Sequence, residues 1–240
     1  MAHVSGNGQL KIGAFVYDQM DQIDLTGPFE ALTRLSDASF NLYGLTDQPV
    51  RDMSNLVIQT DGSIDDAPQL DVLHVPGGPG QQALMDDERL MAWLKRQADG
   101  AELVFSVCTG ALLLGAAGLL TGRQATTHWA SLELLSYFGA TPVDRRVVID
   151  GNYVFTAGVT AGIDGALTVI DQLRGADEAQ LIQLILQYAP EPPFQSGHPR
   201  SAPAHILQQA EVFVRELTDE RRITAEKYAS TAGKAGSQPR

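Results

Sequence analysis

Five short apolar runs, most of them nearly continuous, alternating with segments of helical spacing, constrain this chain more than any other feature. Residues 10–17 (LKIGAFVY), 39–45 (SFNLYGL), 70–75 (LDVLHV), 103–107 (LVFSV) and 153–156 (YVFT) read as strands. Runs apolar at both parities of the pleat belong to strands buried on both faces. Helical patterns fall at about 28–36, 81–98, 109–118, 130–138, 161–173 and 177–188. Strands alternating with helices predict an α/β fold: a mostly parallel sheet with helices on both faces. A further strand at 147–149 joins 153–156 through Asp150-Gly151-Asn152, a hairpin signal. Residues 189–203 hold five prolines and read as a linker. An added C-terminal helix follows, with Ile206, Leu207, Ala210, Phe213, Val214 and Leu217 on one face. The expected organisation is a flexible segment at 1–9, one α/β domain over 10–228 including that helix, and a disordered tail at 229–240.

Charge then narrows the partners. The 240 residues carry 17 Lys and Arg against 29 Asp and Glu, a formal net charge of −12. Phosphate binding needs a positive surface, so neither nucleic acid nor an anionic membrane is an expected partner. No stretch approaches the ~20 apolar residues that span a bilayer, and no signal-peptide pattern opens the chain. A cytoplasmic setting follows as the expectation. The single cysteine, Cys108, excludes an internal disulfide and every multi-cysteine metal site. No metal-ligand cluster, Walker sequence or GxGxxG is visible, and no cofactor is expected.

Ligands of open parallel sheets collect at the carboxyl ends of the strands. Three loops deliver reactive or permissive residues there. Strand 103–107 runs straight into Cys108-Thr109-Gly110 and a small-residue helix, the strand–turn–helix pattern of a nucleophile elbow. A helix N-terminus also favours the thiolate, which is the nucleophilic form. The alternative is that Cys108 is a small buried hydrophobe. The loop 75–80 (VPGGPG) lets backbone N–H groups approach a ligand, although glycine in such turns is also used for steric reasons alone. The loop 18–28 (DQMDQIDLTGP) carries Asp18, Asp21 and Asp24 ahead of a helix expected to start at Gly27 and Pro28. Carboxylates there serve as caps or solvated charges, but Asp24 sits between Ile23 and Leu25, where burial would raise its pKa and make it a proton donor. Of the five histidines only His128 falls at a strand end near these loops, and a structural role suits it better; His74 lies inside a strand.

The runs Asp24-Leu25-Thr26-Gly27-Pro28, Val75-Pro76-Gly77-Gly78, Val107-Cys108-Thr109-Gly110 and Ala125-Thr126-Thr127-His128-Trp129-Ala130 together resemble the ThiJ/PfpI superfamily. The resemblance spans roughly 10–225 and implies a flavodoxin-like, class I glutamine amidotransferase-like sandwich. Within the superfamily the likeness is to members that hydrate isocyanides (isonitriles) to N-substituted formamides. Many other members place a histidine directly after the cysteine and a glutamate beside it. Here Thr109 follows Cys108 and the acid is Asp24, which counts against protease or deglycase activity. The resemblance implies Cys108 as nucleophile, Asp24 as proton donor, and the backbone N–H groups of Gly78 and Thr109 as donors to developing charge. It also implies an isocyanide as small-molecule substrate, a homodimer, and neither metal nor cofactor. Transcription regulators sharing the CTG and TTHW runs need paired helix-turn-helix units, and only about 50 residues, not notably basic, follow Tyr188. Two other readings stay open: a cysteine-dependent enzyme acting on small aldehydes, and a non-catalytic protein in which Cys108 reports oxidation.

Overall fold

A computed structural model describes residues 9–235, with side chains to residue 230. Its frame is a seven-stranded sheet of β1 (Leu10–Phe15), β2 (Ala38–Gly44), β3 (Gly62–Ser63), β4 (Val72–Val75), β5 (Leu103–Val107), β6 (Val147–Asp150) and β7 (Tyr153–Thr156), in the order β6-β7-β5-β4-β1-β2-β3. All neighbouring pairs are parallel except β6 with β7, whose antiparallel ladder pairs Asp150 with Tyr153 across the expected hairpin. Gly151 takes φ +60° in that turn, which suits glycine there. The edge strand β3 is two residues of weak β character, and its pairing with Tyr43 and Gly44 carried no apolar run to announce it.

Alternate residues of the central strands feed two apolar layers. Ile12, Val72, Leu103, Phe105 and Val154 face one layer with Leu32, Ala166, Val169 and Ile170; Leu73, Val104, Tyr153 and Phe155 face another with Leu90, Trp93, Leu112 and Leu135. The first layer is covered by α1 (Gln22–Leu32), α5 (Ala161–Arg174) and α6 (Ala176–Ile185). The second is covered by α3 (Glu88–Gly100), α4 (Gly110–Ala116) and a 3-10 helix (Trp129–Phe138), beside the short α2 (Gln81–Leu84). The α/β sandwich with a mostly parallel sheet is therefore as read from the sequence.

Three helix boundaries depart from the reading. First, α1 begins at Gln22, not near Pro28, because the Asp21 side chain caps it by accepting from Ile23 N–H at 3.1 Å. Pro28 thus lies inside the helix, and Asp24 sits in its first turn instead of in a loop. Second, the segment expected as one helix at 81–98 is broken, since the Asp87 side chain accepts from Leu90 N–H and starts α3 afresh. Third, α7 runs from Ala204 to Ala235, past the expected start of a tail at 229. Buried Ala225 and the Tyr228 hydroxyl, which donates to Met85 O, fasten its last turns, and an alanine-rich stretch propagates the helix beyond them. The expected flexible segment 1–9, Gln9 apart, and residues 236–240 lie outside the described residues. Among the described residues, no helix is long and apolar enough to cross a membrane.

The stripe Ile206, Leu207, Ala210, Phe213, Val214 and Leu217 is not buried: Phe213 is 87% exposed, and of the α7 side chains described, those to residue 230, only Arg221, Thr224 and Ala225 are buried. The docked part of the helix runs from Arg221 to Tyr228, against α2 and the 3-10 helix.

Candidate active site

The strand order brings four loops together at one end of the sheet. Neighbouring strands β1, β4, β5 and β7 end beside one another, and the chain reverses its winding direction between β1 and β4. Asp24 follows β1, Gly77 and Gly78 follow β4, Cys108 follows β5 and Val159 follows β7. Four segments distant in sequence meet there for that reason.

Cys108 has φ +53°, the left-handed region that non-glycine residues seldom occupy. Its backbone is fastened on every side. Its N–H donates to Thr156 O (3.2 Å) and Ala157 O (2.9 Å), and its carbonyl accepts from the Thr127 hydroxyl (2.6 Å). Such fastening is what holds a sparsely populated conformation, at a cost on the order of 1–3 kcal/mol. The thiol is buried, and the backbone N–H groups of Val159 and Thr109 hydrogen-bond it.

Asp24 is fully buried. Its Oδ2 accepts from Gly77 N–H at 2.9 Å. Its Oδ1 has no N–H or O–H donor, and the Cys108 thiol is the other polar group interacting with the carboxyl. Burial raises the Asp24 pKa well above the ordinary carboxylate range, and the Asp21 charge adds to the rise. Burial also pushes the Cys108 thiol well up, with the Asp24 charge as the second cause. The expected lowering at a helix N-terminus is overridden, since α4 is only seven residues long and the sulfur is out of water. Both rises disfavour a charged sulfur beside a charged carboxylate.

Gly77 and Gly78 are there for space. A Cβ on Gly77 would stand 2.5 Å from Thr109 N and 2.9 Å from Asp24 Oδ2, and Gly78 (φ +138°) would meet Asp21 N at 2.4 Å. The expectation that Gly78 N–H faces developing charge requires correction. It donates to Thr109 Oγ1 at 3.1 Å, because the loop folds back on the start of α4. The Thr109 hydroxyl is likewise occupied with the Gly78 peptide, while Thr109 N–H does reach the sulfur. Asp24, Cys108 and Thr109 are therefore brought together, and Gly78 closes the loop around them.

Two histidines flank the site, and neither bonds the sulfur. His74, on β4, places Nε2 2.9 Å from Asp24 O and stacks on Phe105. His128 caps the 3-10 helix, Nδ1 accepting from Ala130 N–H at 3.4 Å. Burial lowers both to about 4, so both are neutral at pH 7. A cavity of about 380 Å³ is lined by Thr127, whose hydroxyl donates to Cys108 O, and by His128, Trp129, Leu132 and Val159, among others, and reaches the surface at Arg145 and Arg200; neither Cys108 nor Asp24 lines it.

Sequence reasoning missed Arg221. This α7 residue is 5% exposed, and donates from Nη2 to Gly78 O (3.0 Å) and from Nε to Gln81 Oε1 (3.1 Å). The available signal was an arginine at the same helical spacing as Leu217, Thr224, Ala225 and Tyr228, a position that faces a core.

Comparison with known proteins agrees with this arrangement. The chain is 48% identical to an isonitrile hydratase of Pseudomonas putida over 201 residues, covering 84% of this chain and 88% of that protein. A ThiJ/PfpI family protein from Pseudomonas syringae superposes with TM-score 0.89 at 37% identity, covering 91% of each chain. Schizosaccharomyces pombe DJ-1 shares the fold, with TM-score 0.67 at 20% identity over 75% of this chain and 100% of that one. The DJ-1/PfpI family profile matches residues 10–172, the span that carries every strand of the sheet and both Asp24 and Cys108. By its sequence, its sheet order and the cysteine at the end of its central strand, the chain belongs to the DJ-1/PfpI family.

Proposed function

We propose that this protein is an isocyanide hydratase, converting R–N≡C to the N-substituted formamide R–NH–CHO with Cys108 as nucleophile and Asp24 as proton donor. The observation that carries the reading is the buried Cys108–Asp24 pair, with one carboxyl oxygen on Gly77 N–H and the other without a donor. The likeness to the Pseudomonas putida enzyme supports the same substrate class.

An isocyanide carbon accepts a nucleophile and a proton at the same atom. The Cys108 sulfur forms the C–S bond while the Asp24 carboxyl delivers its proton to that carbon, giving the thioimidate R–N=CH–S–Cys108 and the Asp24 carboxylate. Water then adds to the carbon, Asp24 taking one of its protons and passing it to the nitrogen while the other stays on the new hydroxyl. The tetrahedral R–NH–CH(OH)–S adduct collapses, the C–S bond breaks, and formamide leaves with the sulfur–carboxyl pair again sharing one proton. General acid catalysis of this kind contributes ~10²–10⁴-fold. A thiol and a carboxyl suffice for this sequence of steps, consistent with neutral histidines that do not touch the sulfur.

The test is direct. The protein incubated with an aryl isocyanide forms the aryl formamide, and methylglyoxal in a parallel reaction is not consumed. Turnover of methylglyoxal without formamide would overturn the reading in favour of an aldehyde-directed enzyme. The homodimer and the cytoplasmic setting belong to the same proposal; exposed Val212 and Phe213 on α7 support the first, and sedimentation equilibrium measures it.

A further inference from the structure

We propose that the cavity bounded by Thr127, Trp129 and Val159 seats the substituent of the isocyanide, and that this substituent carries a carboxylate held at the mouth by Arg145. The inference rests on the proposed hydratase reaction and names the class of isocyanide that the site serves.

Three residues of the cavity wall hold Cys108 itself. The Val159 N–H bonds the sulfur, the Thr127 hydroxyl donates to Cys108 O at 2.6 Å, and Ala157 O accepts from Cys108 N–H at 2.9 Å. A molecule whose isocyanide carbon meets the sulfur thus has this space beyond Val159 for its remaining atoms. The inner wall is aromatic and apolar, with Trp129, Leu132 and Val159. Its volume of about 380 Å³ is that of a small-molecule site and admits a substituted ring.

The mouth has the opposite character. Arg145, Arg146 and Arg200 line it, three of the 17 Lys and Arg in a chain of net charge −12. Two of them are engaged: Arg146 pairs with Asp164 at 2.6 Å, and Arg200 pairs with Asp144. The other Asp144 oxygen accepts from His198 Nε2 at 3.0 Å, while His198 Nδ1 accepts from Arg200 N–H at 3.1 Å. Both oxygens of the carboxylate in the lining are therefore occupied. The exposed Arg145 guanidinium forms no hydrogen bond or ion pair among the described residues. The start of α5 adds charge of the same sign. Its N-cap Thr160 lines the cavity with no side-chain cap, which leaves the positive end of a 14-residue helix at the wall. One free guanidinium matches one carboxylate in charge and in fork geometry. An apolar ring with a carboxylate at its far end satisfies floor and mouth together.

Binding and turnover test this separately. 4-Formamidobenzoate, a product of the proposed reaction, binds and alters the emission of Trp129; the other tryptophan, Trp93, is buried in the core. The uncharged 4-formamidobenzamide binds about tenfold more weakly. Arg145→Gln removes that difference, whereas Arg215→Gln, on an exposed turn of α7, preserves it. As substrate, 4-isocyanobenzoate exceeds phenyl isocyanide about tenfold in kcat/KM, and Arg145→Gln erases the preference through KM. Equal binding of the acid and the amide overturns the proposal, as does a preference that survives Arg145→Gln. Arg145-dependent binding of the acid without turnover of either isocyanide supports the anion site and counts against the hydratase reaction. Turnover of both isocyanides at equal kcat/KM supports the reaction and overturns the assignment of the carboxylate.

Discussion

His74 on β4 donates from Nε2 to the backbone oxygen of Asp24, 2.9 Å away. That oxygen is open to it because the residue four positions on is Pro28, which has no N–H to close the helical bond. The buried imidazole thus replaces a missing turn of α1 and holds the acid's backbone against the sheet. His74 is neutral, and its second nitrogen, Nδ1, faces Phe105 O at 3.4 Å, so the proton belongs on Nε2.

Removing that donor and then restoring one from the other side tests the arrangement. His74→Phe leaves the Asp24 carbonyl buried without a partner, at about 1–3 kcal/mol of stability, with formamide turnover reduced about tenfold. Pro28→Ala supplies an N–H at position 28, and in the double variant it recovers a large part of both losses. Urea unfolding and kcat measure them; a double variant no better than His74→Phe alone would show that the carbonyl's partner is immaterial.

Acidification probes the same imidazole. Its folded pKa of about 4 lies below the unfolded value of 6.5, so the unfolded state binds more protons between those limits. The stability that His74 contributes is therefore complete above pH 6.5 and lost as pH falls toward 4, by about 3 kcal/mol. His128, lowered to about 4 as well, acts in the same direction, while Asp24, raised by burial, opposes it. The urea midpoint should fall across this window, and the fall should be shallower in His74→Phe. A pH-independent midpoint in both proteins would contradict the burial of a neutral imidazole.

The proposed chemistry stands on two substitutions. Cys108→Ala abolishes formamide production with the unfolding midpoint preserved; retained turnover removes the covalent scheme. Asp24→Asn keeps an acceptor for Gly77 N–H and lowers kcat by about 10²-fold or more. Near-normal rates in that variant would reduce Asp24 to a structural group at the start of α1.

Two glycines separate space from backbone conformation. Gly77→Ala drives a Cβ into Thr109 N, Thr109 Oγ1 and Asp24 Oδ2, displacing both halves of the pair; it costs about 1–3 kcal/mol and most of the activity. Gly118, with φ +77° and nothing within 4 Å of an added Cβ, is strained without being crowded. Gly118→Ala costs about 1 kcal/mol and leaves kcat unchanged. Equal activity losses in the two variants would refute the steric account of Gly77.

Much of this was legible in sequence because it rests on local chemistry. The run 103–107 coincides with β5 to the residue, and the Asp150-Gly151-Asn152 turn closes the hairpin that its composition announced. Pro28 misled for an equally local reason: proline favours the first turn of a helix, and nothing nearby revealed that a histidine fifty residues away would take over its missing bond. The same holds for Gly78, whose N–H is turned from the site by Thr109, and for Arg221. Each depends on which loop faces which, and that is settled by strand order.

The left-handed conformation of Cys108 has a last consequence. Judged for stability alone, position 108 calls for glycine, the residue that occupies φ +53° without strain. Selection that looked only at folding would steadily erase the thiol. Any redesign that scores this chain by backbone compatibility will therefore nominate its most chemically specific atom for removal, and position 108 must be held fixed before the remainder is optimised.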